Sequence, residues 1–275
     1  MTKELSDILV VSDVDGTLVK SGYEIPKENI KAIERFSNLG GRFSFATGRG
    51  IALARNYADC FALSAPAILV NGGVIYDYSI DKILFERTLD AGVRTVLGEI
   101  TDAFPQIGVE IICRDKVVIV KMNDEVHKHT SLEHTPMTFT DADTVGNGWN
   151  KVLFAGKPEE IGKLQEYIKK RIIDDEIFKK YYFVQTSGLY YELLPLNTNK
   201  AFGLEKLAQL LNIRIENTVA IGDYYNDIEL LNAAGLSAVV ADAPDEIKNN
   251  ADIVVGPCLK GGVAELLYKI IDSCR

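Results

Sequence analysis

Short apolar runs that end in polar or glycine residues, separated by stretches of helical period, mark both ends of this 275-residue chain. Residues 8–13 (ILVVSD) predict a buried parallel strand, because a strand covered on both faces needs no polar alternation. Pro26 then opens a helix with Ile30, Ile33 and Phe36 on one face, and Gly40-Gly41 stop it. A second strand comes at 42–46 (RFSFA) and a third at 67–70, with a helix between them. Near the other end, 199–211 predicts a helix striped by Leu204, Leu207 and Leu211. Further strands are predicted at 218–221, 238–240 and 253–255. The last helix places Val263, Leu266, Leu267, Ile270 and Ile271 at i, i+3, i+4, i+7 and i+8. Six strands joined by helices predict an α/β fold with a doubly wound, mostly parallel sheet.

The middle of the chain is patterned differently. Residues 109–114 and 116–122 predict paired strands with a tight connection. Residues 181–186 and 189–194 flank Ser187-Gly188 as a hairpin. A helix opened by Pro158 turns Ile161, Leu164, Ile168 and Ile172 inward. Hairpins inside an otherwise parallel chain predict an inserted α+β domain at 82–188, dividing a discontinuous core of 1–81 and 189–275.

The composition is that of a globular chain, 47% hydrophobic and 25% charged. No apolar run reaches the roughly 18 residues of a membrane span, and the N-terminus, carrying Glu4 and Asp7, does not predict a signal peptide. Thirty basic against 39 acidic residues leave a net charge of −9, which repels nucleic acid and anionic membranes. A phosphorylated substrate would be repelled too, unless a local cation reverses the field. Cys60, Cys113, Cys258 and Cys274 are far apart and predict reduced thiols in a cytoplasmic protein.

The candidate chemistry stands at strand ends, where open α/β sheets bind ligands. Asp13-Val14-Asp15-Gly16-Thr17 closes the first strand. One of its carboxylates can attack phosphorus, given a divalent metal to neutralise charge, while the other moves protons. Thr47-Gly48-Arg49 closes the second strand and offers a hydroxyl and N–H groups to phosphate oxygens. Lys200 opens a helix, where its ammonium can pair with phosphate and with Asp13. Gly222-Asp223-Tyr224-Tyr225-Asn226-Asp227 can complete a magnesium site. Taken singly, the Asp and Thr-Gly motifs read better as turns or helix caps, and Lys200 as a solvated side chain. His127, His129 and His134 are too irregularly spaced for a metal site, Trp149 reads as packing, and Lys169-Lys170-Arg171 as a solvated helix face.

In this order, the four motifs resemble those of the haloacid dehalogenase-like (HAD) phosphohydrolases, specifically the Cof-type sugar phosphatases with a C2-class cap. That resemblance implies a phosphoric monoester hydrolase of small phosphate esters, sugar phosphates foremost, working as a monomer or homodimer. It implies Asp13 as nucleophile and Mg²⁺ ligand. Asp15 would be the acid/base and a ligand through its carbonyl, and Asp223 the third ligand. Val14, Thr47, Gly48, Arg49, Lys200 and Asn226 would hold the phosphoryl group. Asp227 would orient Lys200 or a metal-bound water, and Asn71 would stand nearby. The alternatives are a phosphosugar mutase of the same fold and a non-catalytic sugar-phosphate-binding protein. The presence of Asp15, missing from dehalogenases of this fold, points to ester hydrolysis.

Overall fold

The computed structural model describes residues 4–20, 23–61, 63–114, 116–133 and 137–274. The chain forms two compact units. One comprises residues 1–49, 54–85 and 199–275, and the other residues 50–53 and 86–198.

The first unit begins with β1 (Leu9–Asp13), α1 (Lys27–Asn38), β2 (Arg42–Ala46), α2 (Ile51–Ala58, from Ala54 onward), β3 (Ala67–Leu69), β4 (Val74–Asp77) and β5 (Lys82–Glu86, up to Phe85). The second unit holds α3 (Val93–Ala103), β6 (Gly108–Cys113), β7 (Lys116–Lys121), α4 (Asp124–Glu133), β8 (Met137–Phe139), β9 (Lys151–Ala155), α5 (Pro158–Asp174), β10 (Tyr181–Ser187) and β11 (Tyr190–Pro195). The chain then returns to the first unit through α6 (Lys200–Leu210), β12 (Thr218–Gly222), α7 (Ile228–Ala233), β13 (Leu236–Val240), α8 (Asp245–Lys248), β14 (Ile253–Val255) and α9 (Gly262–Ser273).

The first unit's sheet runs β14-β13-β12-β1-β2-β3-β4-β5. It is parallel from β14 to β3, and β4 pairs antiparallel to β3. Side chains alternate between its faces. Leu9, Val11, Ala46 and Ile68 meet Leu204 and Leu207 of α6 and Leu230 of α7 on one face. Helices α1 and α9 pack against each other and cover the other, burying Ile33 and Phe36 of α1 and Leu266, Leu267 and Ile271 of α9.

In the register of β1, Asp13 stands opposite Ala46 of β2 and Ser12 opposite Ile221 of β12. The three strands therefore end level. The residues just beyond their ends, Val14-Asp15, Thr47-Gly48 and Asp223, emerge at one edge of the sheet.

The second unit's sheet runs β10-β11-β9-β6-β7-β8. A core of Val96, Ile100, Trp149, Phe154, Ile161, Leu164, Ile168 and Phe178 joins it to α3 and α5. Both boundaries differ from the 82–188 expected. Residues 82–85 belong to the first unit, because β5 extends that unit's sheet beyond β4. Residues 189–198 belong to the second, because β11 pairs with both β10 and β9. A bulge between Gln185 and Ser187 sets Ser187 opposite Tyr190, which moves the hairpin turn to Gly188-Leu189.

Candidate active site

Asp13, the last residue of β1, is 5% exposed. Its Oδ1 accepts a 2.5 Å hydrogen bond from Nζ of Lys200, which also donates to Oδ1 of Asp227 at 2.6 Å. Lys200 lies in the first turn of α6, whose N-cap Asn199 accepts from the Phe202 N–H at 2.8 Å. The lysine is 2% exposed. Burial alone would lower its pKa, but the charges of Asp13 and Asp227 outweigh burial and hold it above its ordinary value.

The other oxygen of Asp227 accepts from the backbone N–H groups of Asp223 and Tyr224, at 3.1 and 3.3 Å. Both oxygens of Asp227 are thus committed to fixing Lys200 and the turn after β12. Gly222 is required beside it, since a Cβ there would lie 2.6 Å from the Asp227 Cβ.

Asp223 faces the loop after β1. Thr17, fully buried, donates its hydroxyl to Asp223 Oδ1 at 2.9 Å. Gly16 has a φ of +106°, and a Cβ there would stand 2.3 Å from Asp223 Oδ2, so only glycine fits. Thr17 was not among the expected site residues, although its hydroxyl stands in the DxDGT run.

Asp13, Asp223 and Asp227 bring oxygens within 4.8 Å of one another. One ammonium cannot neutralise three carboxylates. Burial, followed by the charge of Asp227, raises Asp13 well above the ordinary carboxylate range, against the pull of Lys200. Burial and Asp227 likewise raise Asp223 to about 6. A hard divalent cation with oxygen ligands would relieve this surplus negative charge, and Asp13 and Asp223 have the less committed oxygens. The donor set fits such an ion.

Thr47 comes directly after β2 and is 2% exposed. Its N–H donates to the Ile68 carbonyl, and its own carbonyl accepts from the N–H of Asn71. Asn71 adopts a φ of 51°, and its side chain lies against Gly48. Val14 is fully buried just past the end of β1. Three expected site residues, Asp15, Arg49 and Asn226, are not members of the Asp13–Lys200–Asp227 hydrogen-bond chain. Asp15 is paired with Arg49, with two N–H···O contacts of 2.9 Å. Asn226 lies half-buried in the turn Tyr225–Asp227, and among the described residues its side chain joins none of these hydrogen bonds. In the second unit, His129 hydrogen-bonds buried Glu110 at 2.9 Å, while His134 lies outside the described residues. Trp149 is buried, donates to the Gly146 carbonyl, and stacks under Arg94.

The first unit thus gathers its carboxylates at the carboxyl ends of β1 and β12, beside Thr47 and Gly48 after β2, at the edge where open α/β sheets bind ligands. Residues 10–267 match the haloacid dehalogenase-like hydrolases, and the chain belongs to that family, its curated relatives being named phosphatases. It is 29% identical to the 5-amino-6-(5-phospho-D-ribitylamino)uracil phosphatase YcsE of Bacillus subtilis, over 94% of each chain. It is 24% identical to the pyridoxal phosphate phosphatase YbhA of Escherichia coli, over 94% of this chain and 97% of that one. A haloacid dehalogenase-like hydrolase from Bacteroides thetaiotaomicron has the same fold, with a TM-score of 0.84, 24% identity and coverage of 96% of this chain and 99% of that one. So does the HAD subclass IIB sugar phosphatase BT4131, with a TM-score of 0.81, 17% identity and coverage of 96% and 98%. Among the described residues, no helix is long and apolar enough to cross a membrane.

Proposed function

We propose that this phosphatase is Mg²⁺-dependent and hydrolyses small phosphomonoesters, sugar phosphates among them, through an aspartyl-phosphate on Asp13. The observation that carries the reading is the buried Asp13–Lys200–Asp227 chain with Asp223 beside it. A carboxylate placed against a fixed ammonium, among acidic neighbours, is costly to build for stability alone. The relatives that act on pyridoxal phosphate and on 5-amino-6-(5-phospho-D-ribitylamino)uracil support a small phosphate ester as substrate.

Asp13, the Asp15 carbonyl and Asp223 would hold Mg²⁺. The bound ion would supply charge neutralisation between two anions, nucleophile and phosphoryl group. Thr47, Gly48, Lys200 and Asn226 orient the phosphoryl oxygens. An Asp13 oxygen then attacks phosphorus in line, and the leaving alkoxide takes a proton from Asp15. In the second half, Asp15 takes a proton from water, the water oxygen bonds to phosphorus, and the P–O bond to Asp13 breaks. Asp227 keeps Lys200 in place throughout. The separated thiols Cys60, Cys113, Cys258 and Cys274 support a reducing, cytoplasmic setting.

The test is phosphate release across a panel of sugar, nucleotide and cofactor phosphates, with Mg²⁺ and with a chelator. Metal-dependent release is expected, with chelation abolishing it. Isomerised sugar phosphate without free phosphate would instead establish a mutase. Binding without either product would establish a sensor.

A further inference from the structure

The proposed reaction gives Asp15 both proton transfers, yet both of its oxygens are already engaged. Arg49 grips them as a fork, with Nε donating to Oδ2 at 2.9 Å and Nη2 donating to Oδ1 at 2.9 Å. A carboxylate held this way has the facing lone pair of each oxygen occupied by an N–H donor, which leaves only its outward, less basic lone pairs for a leaving oxygen or an attacking water. The fork therefore has to open before Asp15 can turn its better-placed lone pairs to a reacting oxygen.

The fork is open to competition. The Arg49 side chain is 26% exposed and that of Asp15 is 43% exposed, and ion pairs at such exposure are weakly held. The base of Arg49 is tied down, however. Its backbone N–H donates to Thr47 Oγ1 at 3.2 Å, and its guanidinium lies over the Tyr57 ring, 5.5 Å from the centroid. The arm thus starts from the same turn after β2 that offers Thr47 and Gly48 to a phosphoryl group. A phosphoryl dianion presents a guanidinium with the same two-oxygen geometry as a carboxylate and with more charge.

We infer that Arg49 is a latch on Asp15. With no substrate it parks the carboxylate, and an arriving phosphoryl dianion takes the guanidinium and releases Asp15 for proton transfer. Arg49 is then a positioning residue for the reaction, acting through Asp15. The inference rests on the phosphatase reading, and its test separates the two.

The experiment is calorimetric titration of inorganic phosphate into the Mg²⁺-loaded protein as wild type, Asp15→Ala, Arg49→Gln and the double variant. Removing the competing carboxylate should tighten phosphate binding about fivefold in Asp15→Ala. That gain should vanish when the same change is made in the Arg49→Gln background. A gain that survives there would reflect only the loss of a repelling negative charge and would overturn the latch, as would the absence of any gain. In turnover, Arg49→Gln should raise KM more than it lowers kcat, and a fall in kcat at unchanged KM contradicts the handover. Wild-type protein that binds no phosphate would overturn the phosphatase reading, and the latch with it.

Discussion

A lysine that is 2% exposed must bring its counter-charges with it, and Lys200 brings two. Removing either partner would strand a buried charge, which costs about 3–5 kcal/mol in comparable pairs. The same residues divide the chemistry: Asp13 is buried and immobilised, whereas Asp15 is half-exposed and movable. Replacing Asp15 by Ala should lower kcat by about 10²–10⁴-fold and leave the unfolding midpoint nearly unchanged, because its ion pair with Arg49 is solvent-exposed. Steady-state kinetics beside thermal melts would check both, and a normal kcat would remove Asp15 from the proton-transfer role. Residue types were legible in the sequence wherever a motif is contiguous, as in Asp13-Val14-Asp15-Gly16-Thr17. Contacts across the chain were not. Arg49 and Asp15 are 34 positions apart and Lys200 and Asp227 are 27 apart, and no local pattern encodes which carboxylate each cation meets.

Among the elements, α6 does the most positioning, because it carries Lys200 at its start and packs Leu204 and Leu207 onto the central strands. Leu204→Ala should cost about 2–5 kcal/mol, since the side chain is fully buried. Leu210→Ala, 45% exposed on the same helix, should change stability by less than about 0.5 kcal/mol. Denaturant unfolding of the two variants checks the contrast, and equal losses would contradict the packing described. The buried parallel strands β1, β2 and β12 were legible because burial on both faces writes a continuous apolar run. The strands β5 and β8 were not. They end the two sheets with half-exposed or exposed residues throughout most of their length, so no run or clean alternation marks them. The limit of the inserted unit was misplaced for a related reason. The pattern of 189–194 shows a strand but does not show which sheet it joins, and its pairing with β9 is what decides the matter.

At the scale of the whole molecule, the net charge of −9 includes a buried local excess of negative charge where three carboxylates share one ammonium. In the metal-free protein, Asp223 has its pKa raised from 3.8 to about 6. The folded state therefore binds this proton more tightly than the unfolded chain does. The stability it contributes is fully present below pH 3.8 and is lost as the pH rises through about 6. A divalent cation binds the ionised form, so it compensates most where the proton is gone. Mg²⁺ should raise the thermal midpoint more at about pH 7.5 than at about pH 5. Differential scanning fluorimetry with and without MgCl₂ checks this, and an equal rise at both pH values would contradict a carboxylate site.

The central claim is that Asp13 itself carries the phosphoryl group during turnover. Quenching the enzyme with borohydride while it turns over a phosphate ester in Mg²⁺ converts an aspartyl-phosphate to homoserine, which peptide mass spectrometry locates. The account predicts homoserine at position 13, dependent on substrate and absent from Asp13→Asn. Active enzyme with an unmodified Asp13, or with the mark on another residue, would contradict it.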